Sequence, residues 1–197
     1  MIGIINYGAG NIYSLQCALD RVGAQYELIN SVEAFDRYDK YIIPGVGHAK
    51  PAMEKLLKTG LVPLIKTTEK PLLGVCLGMQ LLTSFSEEGN TLLLNLIPLK
   101  TKRFVSDTFK IPHMGWNTIE VEPCDNVLFK DIKNQDYFYF VHSYFVECNK
   151  EYTIGTTEYA QTFSAAIQKD NFYGVQFHPE KSGSAGEQLL RNFVELE

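Results

Sequence analysis

The chain has 197 residues, 45% of them hydrophobic, which suits one folded domain spanning 1–197 with a sizeable core rather than a disordered chain. A formal net charge of −5, with no dense cluster of Lys and Arg, disfavours binding to nucleic acid or a membrane surface. The opening MIGIINYGAGN lacks the basic and apolar regions of a signal peptide, and no stretch reaches membrane-spanning length.

IGIINY (2–7) is a short apolar run that predicts a first strand. The following GAGNIY lacks the third glycine of a dinucleotide-binding loop, so it reads as a tight strand-to-helix turn. Asn11 is placed to cap a helix through NIYSLQCALDRVG. There Ile12, Leu15, Ala18, Leu19 and Val22 recur at helical spacing and Gly23 marks the end. QYELI (25–29) and KYIIP (40–44) predict further strands, HAKPAMEKLLKTG a helix ending at Gly60, PLLGV (71–75) a buried strand and LGMQLLTSF a helix. Short apolar strands separated by helices imply an α/β fold whose central, mostly parallel sheet is covered on both faces. LKTKRF (99–104), the densest basic stretch, reads as a solvated strand edge.

The second half changes character. WNTIEV, YFYFVHSYFVEC, YTIGTTEY, FSAAIQ and YGVQF are rich in aromatic and β-branched residues, and predict added strands, some antiparallel, within the same domain. In the tail SAGEQLLRNFVELE, Ser184 and Glu187 stand at capping-box spacing ahead of a stripe of Leu189, Leu190, Phe193 and Val194.

Four scattered cysteines, Cys17, Cys76, Cys124 and Cys148, form no CxxC pair, so free thiols in a reducing cytoplasm are expected. The four histidines are equally dispersed and show no metal-ligand spacing. Cys17, Cys124 and Cys148 read as small packed side chains. Cys76 differs. Gly74-Val75-Cys76-Leu77-Gly78 has the G-x-C-x-G form of a nucleophile elbow, with a strand before it and a helix after. The glycines remove side chains that an abrupt strand-to-helix corner would crowd. A helix N-terminus favours the thiolate, and the Leu77 amide would face an oxyanion on an attacked carbonyl.

GVQFHPEKSG (174–183) places His178 and Glu180 two residues apart, on one side of an extended chain. A thiol nucleophile needs a base to take its proton and return it to the leaving group, and a carboxylate to orient the imidazole. His48 and His113 read as loop residues and His142 as a strand residue, each with a weaker claim. IIPGVGH (42–48) ends a strand in a loop whose free amides suit a second oxyanion donor. Spacing alone does not separate that reading from an ordinary turn.

Together these pieces resemble the class I (triad) glutamine amidotransferase family over essentially the whole chain. NYGAGNIYSLQCAL, PGVG, GVCLGMQLL, PHMGWN (112–117), YFVHSYF (139–145) and GVQFHPEKSG carry the resemblance. PHMGWN and FVHSY narrow it to the glutaminase subunits of imidazole glycerol phosphate synthases. The resemblance implies the single-domain fold of that family. It implies that Cys76 attacks the side-chain amide of glutamine to give a γ-glutamyl thioester, with His178 as base and Glu180 orienting it. It places the oxyanion hole at Val46, Gly47 and Leu77, and glutamine on Gln80 and the His142-Ser143-Tyr144 segment. Ammonia would pass to a separate (β/α)8-barrel cyclase subunit of histidine biosynthesis, docked near Asn11, Trp116, Tyr139 and Lys181. No cofactor and no metal are implied. A paralogue feeding ammonia to a sugar-amidinating enzyme would carry the same triad.

Overall fold

Alternation along each short strand decides which side of the sheet a residue packs on. In the computed structural model, which describes residues 1–122 and 126–196, Ile4, Ile42, Leu73 and Val75 enter one core. Their neighbours Ile5, Tyr41, Ile43 and Leu72 enter a second core. Burial on both faces accounts for strands that are apolar throughout.

The strands and helices of the first half are β1 (Ile2–Ile5), α1 (Ile12–Arg21), β2 (Tyr26–Ile29), β3 (Lys40–Ile43), α2 (Ala49–Lys58), α3 (Val62–Thr67), β4 (Leu72–Val75) and α4 (Leu77–Leu82). Then follow β5 (Phe85–Ser86), β6 (Thr91–Leu92), β7 (Lys100–Arg103), β8 (His113–Thr118), β9 (Glu120–Val121), β10 (Tyr137–His142) and β11 (Tyr144–Val146). β12 (Thr153–Tyr159), β13 (Gln161–Lys169), β14 (Phe172–Val175) and α5 (Gly183–Glu195) complete the chain.

The main sheet runs β2-β1-β3-β4-β14-β13-β11-β7-β5-β6, and its first five strands are parallel. β14 then pairs antiparallel with β13, and β13 with β11 and β12, as the aromatic segments predict. α1 and α5 supply one core, and α2, α3 and α4 the other. Arg21 of α1 holds Glu187 of α5 at 2.5 Å, and buried Asn192 of α5 donates to the carbonyls of Leu128 and Lys130 at 3.0 and 2.7 Å. No helix among the described residues is long and apolar enough to cross a membrane.

Several local expectations are corrected. The helix after Cys76 stops at Leu82, where Thr83 turns its hydroxyl back onto the Gln80 carbonyl at 2.8 Å, and Phe85–Ser86 is a strand. YFYFVHSYFVEC is not one strand: Ser143 is the break at which the chain leaves a separate two-stranded β8–β10 sheet for the main one. LKTKRF is no edge, because β7 is paired on both sides, by β11 and β5. His113 opens β8 rather than lying in a loop. The α5 helix starts at Gly183, so Ser184 is inside it and no capping box forms. Cys124 lies outside the described residues; Cys17, Cys76 and Cys148 carry free thiols, and Cys148 is exposed rather than packed.

Candidate active site

β3, β4 and β14 are neighbours running in one direction, so the segments leaving their carboxyl ends converge: PGVGH after β3, Cys76 after β4 and Gln176–Glu180 after β14. Ligand sites of open parallel sheets form at this end. The corner itself is tight. Cys76 takes φ +53°, a left-handed conformation that costs a non-glycine residue about 1–3 kcal/mol and persists only when its surroundings enforce it. They do so through the two glycines. A Cβ on Gly74 would stand 2.6 Å from the Gly78 carbonyl carbon, and one on Gly78 would stand 1.8 Å from the Ile43 carbonyl oxygen. The tightest crowding thus lies between the glycines and against β3. Only glycine lets the corner close on its neighbours.

The parallel register Val175↔Val75 sets Gln176 beside Cys76, and alternation carries His178 to the same side. His178 Nδ1 lies 2.7 Å from Glu180 Oε1, with both side chains almost fully buried. Because the carboxylate accepts, Nδ1 carries the proton and Nε2 is left for chemistry; among the described residues Nε2 has no hydrogen-bond partner. Burial works to lower this imidazole's pKa, but the adjacent Cys76 sulfur and the hydrogen-bonded Glu180 carboxylate outweigh it and raise the value to about 10. At neutral pH that favours an imidazolium beside the sulfur.

Cys76 is 6% exposed and opens with His178 into a cleft of about 340 Å³. Val46, Gly47 and Leu77 line it as well. The PGVG loop packs onto the elbow: a Cβ on Gly45 would come within 2.8 Å of both the Gly78 amide nitrogen and the Leu77 side chain. The buried Tyr7 hydroxyl pins the loop by donating to the Pro44 carbonyl at 2.7 Å. Among the described residues, no protein group accepts from the Val46 or Gly47 amide. Gly47 has φ +95° and Val46 is 44% exposed, so the loop tip projects into the cleft mouth with these donors free.

Gln80, His142, Ser143 and Tyr144 line the same cleft. Gln80 is buried, and its amide donates to the Tyr144 carbonyl at 3.0 Å and to Gln176 Oε1 at 2.9 Å. Both ring nitrogens of His142 are engaged, Nδ1 with the Tyr144 carbonyl at 2.7 Å and Nε2 with His113 Nδ1 at 3.0 Å. Burial pushes His142 down to about 3 and His113 to about 4, so both are neutral.

The sequence comparisons match this architecture. The family model for "Glutamine amidotransferase class-I" matches residues 3–196. The chain belongs to the class I glutamine amidotransferase family. It is 48% identical over 194 residues to a Pasteurella multocida protein named "Imidazole glycerol phosphate synthase subunit HisH", covering 98% of this chain and 97% of that one. A Bacteroides fragilis protein of the same name is 47% identical over 197 residues, covering 99% of both chains. A solved structure titled "Crystal structure of glutamine amidotransferase" superposes with TM-score 0.76 at 16% identity, covering 98% of this chain and 97% of that one. The central, mostly parallel sheet with flanking helices and added antiparallel strands is therefore the family's fold.

Of the remaining residues of interest in this amidotransferase, Tyr139, Trp116 and Lys181 lie at the β8–β10 sheet. Register pairs Tyr139 with Trp116, and their rings meet edge to face at 6.0 Å. The sheet alternates: Phe138, Phe140, His142 and His113 point into the core, while Met114, Trp116 and Tyr137 are exposed, Trp116 at 55%. Trp116 is thus not a core residue. Lys181 Nζ stands 5.7 Å over the Tyr139 ring. Asn11 caps α1, its side-chain oxygen accepting from the Ser14 amide at 3.4 Å.

Two participants escape the sequence reading. Glu88, from the turn between β5 and β6, accepts from the Ala49 amide at 2.6 Å, and its other carboxylate oxygen lies 2.9 Å from His48 Nδ1, which gives His48 a place at the start of α2. Nothing local in the sequence marks that contact. Gln176 donates to Cys76 Sγ at 3.6 Å; its signal is its position two residues before His178, mirroring Glu180 two residues after.

Proposed function

We propose that this chain is the glutamine-hydrolysing subunit of an imidazole glycerol phosphate synthase, releasing ammonia for a partner subunit. The convergence of Cys76, His178 and Glu180 on one cleft carries this reading, and the end-to-end similarity to two proteins named as that subunit supports it. The thiolate attacks the glutamine side-chain carbonyl. The Leu77 amide, with Val46 or Gly47, stabilises the oxyanion, and removing such a donor costs roughly 10²–10³ in turnover. His178 gives its Nε2 proton to the departing ammonia, leaving a γ-glutamyl thioester. Water, deprotonated by the now neutral imidazole, attacks the thioester and releases glutamate and the thiolate. Glu180 keeps Nε2 pointed at the reacting atoms throughout. Gln80, Ser143 and Tyr144 supply polar contacts that would orient glutamine.

The partner is a (β/α)8-barrel cyclase docked on the exposed aromatic face of the β8–β10 sheet. Met114, Trp116 and Tyr137 make that face apolar, as an interface core requires, and Lys181 borders it. The test is glutamate release with the histidine-pathway barrel absent, present, and present with imidazole glycerol phosphate. A low rate alone and a large rise in the complex is the expected result, abolished by Cys76→Ala. Full activity without any partner would refute the subunit role. Activity that ignores this barrel would move the client to another acceptor, such as a sugar-amidinating enzyme.

A further inference from the structure

We infer that Gln176 is a thiolate-stabilising residue, its side-chain N–H held on Cys76 Sγ by a hydrogen-bond relay whose direction the Tyr144 carbonyl fixes. The inference rests on the reading of Cys76 as nucleophile. The direction of the relay follows from its anchor. A backbone carbonyl only accepts, so the Gln80 group 3.0 Å from Tyr144 must be its NH₂. The second hydrogen of that NH₂ points at Gln176, 2.9 Å away, so Gln176 must present its oxygen there. Its own NH₂ then has no choice but to face the sulfur, at 3.6 Å. A flip of the Gln80 amide would set its oxygen against the Tyr144 and Gln176 oxygens, and a flip of the Gln176 amide would set NH₂ against NH₂ and its oxygen against the sulfur. Gln176 and Ala165 also lock the backbone, the Gln176 amide donating to the Ala165 carbonyl at 2.8 Å, and the side chain is fully buried.

The placement has a chemical purpose. α4 has six residues, so its dipole alone is a weak support for a charged sulfur. An amide donor on a buried anion is among the stronger hydrogen bonds, and this one is aimed at the sulfur before substrate arrives. It acts on the opposite side of the problem from His178: the imidazolium balances the charge, while Gln176 fixes where the sulfur sits.

The test is the pH profile of Cys76 alkylation by iodoacetamide in the full chain, followed at that cysteine by peptide mass, since only the thiolate reacts. This readout does not depend on glutamine being the substrate, so failure of the proposed function and failure of this inference are separable. Gln176→Met, similar in length and without a donor, should shift the midpoint upward by about one unit, roughly a tenfold lower rate on the acid side. An unchanged midpoint in a folded Gln176→Met protein overturns the inference. The wild-type chain supplies a second, independent measurement should that variant not fold. One side-chain amide proton of Gln176 should move with the same midpoint as Cys76 alkylation, and an amide that ignores that titration refutes the contact.

Discussion

Tyr139 and His178 are joined through their backbones. The His178 amide donates to the Tyr139 carbonyl at 2.9 Å, and the Tyr139 amide donates to the Ser182 hydroxyl at 3.0 Å. That hydroxyl in turn donates to the His178 carbonyl at 2.6 Å. An aromatic on the exposed sheet and the imidazole of the cleft therefore sit in one closed frame. Ser182→Ala removes the hinge pin, leaving the Tyr139 amide unpaired. Stability should fall by about 1–3 kcal/mol in urea denaturation, and glutamate release in the complex should fall with it.

The elevated pKa of His178 has a stability signature. The folded imidazole titrates near 10 against about 6.5 unfolded, so its proton stabilises the fold fully below pH 6.5. That contribution is lost as pH rises through 10. In Cys76→Ala one of the two supports for the proton is gone while burial still opposes it, so the imidazole midpoint followed by NMR should drop. The decline of stability between pH 6.5 and 10 should flatten at the same time. A midpoint unmoved by the substitution would mean the sulfur does not interact with the ring.

The histidine pair beneath the cleft has the opposite sign. His113, stacked on Tyr159 at 4.1 Å, and His142 are held neutral by burial, down to about 4 and about 3. Their unfolded forms take up protons near pH 6.5, so this stability is present above that pH and is lost on acidification toward 4 and then 3. His113→Phe should make the acid limb of the stability curve shallower. Urea melts at stepped pH between 7 and about 4 measure it.

Glycines with different surroundings should respond differently. Gly78→Ala drives a methyl into the Ile43 carbonyl and should cost about 3 kcal/mol or more, with loss of Cys76 alkylation. Gly23→Ala, at φ +73° with nothing within 4 Å, carries only the conformational cost of about 1–2 kcal/mol and should leave alkylation intact.

Trp116→Ala removes an exposed ring and should change the stability of the isolated chain by less than about 0.5 kcal/mol. Titration with the proposed barrel subunit should nevertheless show at least a tenfold weaker complex, as expected for an aromatic anchor losing roughly 1.4 kcal/mol or more. Binding unaltered by this change would place the interface elsewhere on the surface.

The sequence by itself carried what is local. Short apolar runs and helical period marked β1, α1, β3, β4 and α5. The paired glycines marked the corner at Cys76, although what excludes a side chain at Gly78 is the Ile43 carbonyl of β3. His178 and Glu180 were legible as a pair two positions apart, but the extended chain expected there is a 3-10 turn over Pro179–Lys181, and it is this turn that folds the Glu180 carboxylate back onto the imidazole. Only the tertiary structure decided what depends on neighbouring elements. It placed Ser143 at a change of sheet and turned Trp116 outward. It brought Glu88 to the start of α2, and it set Gln176 against a sulfur 100 positions away by parallel register. Hydrogen-bond partners of buried polar groups are chosen by which strands lie side by side, and strand order is written in no short stretch of the chain.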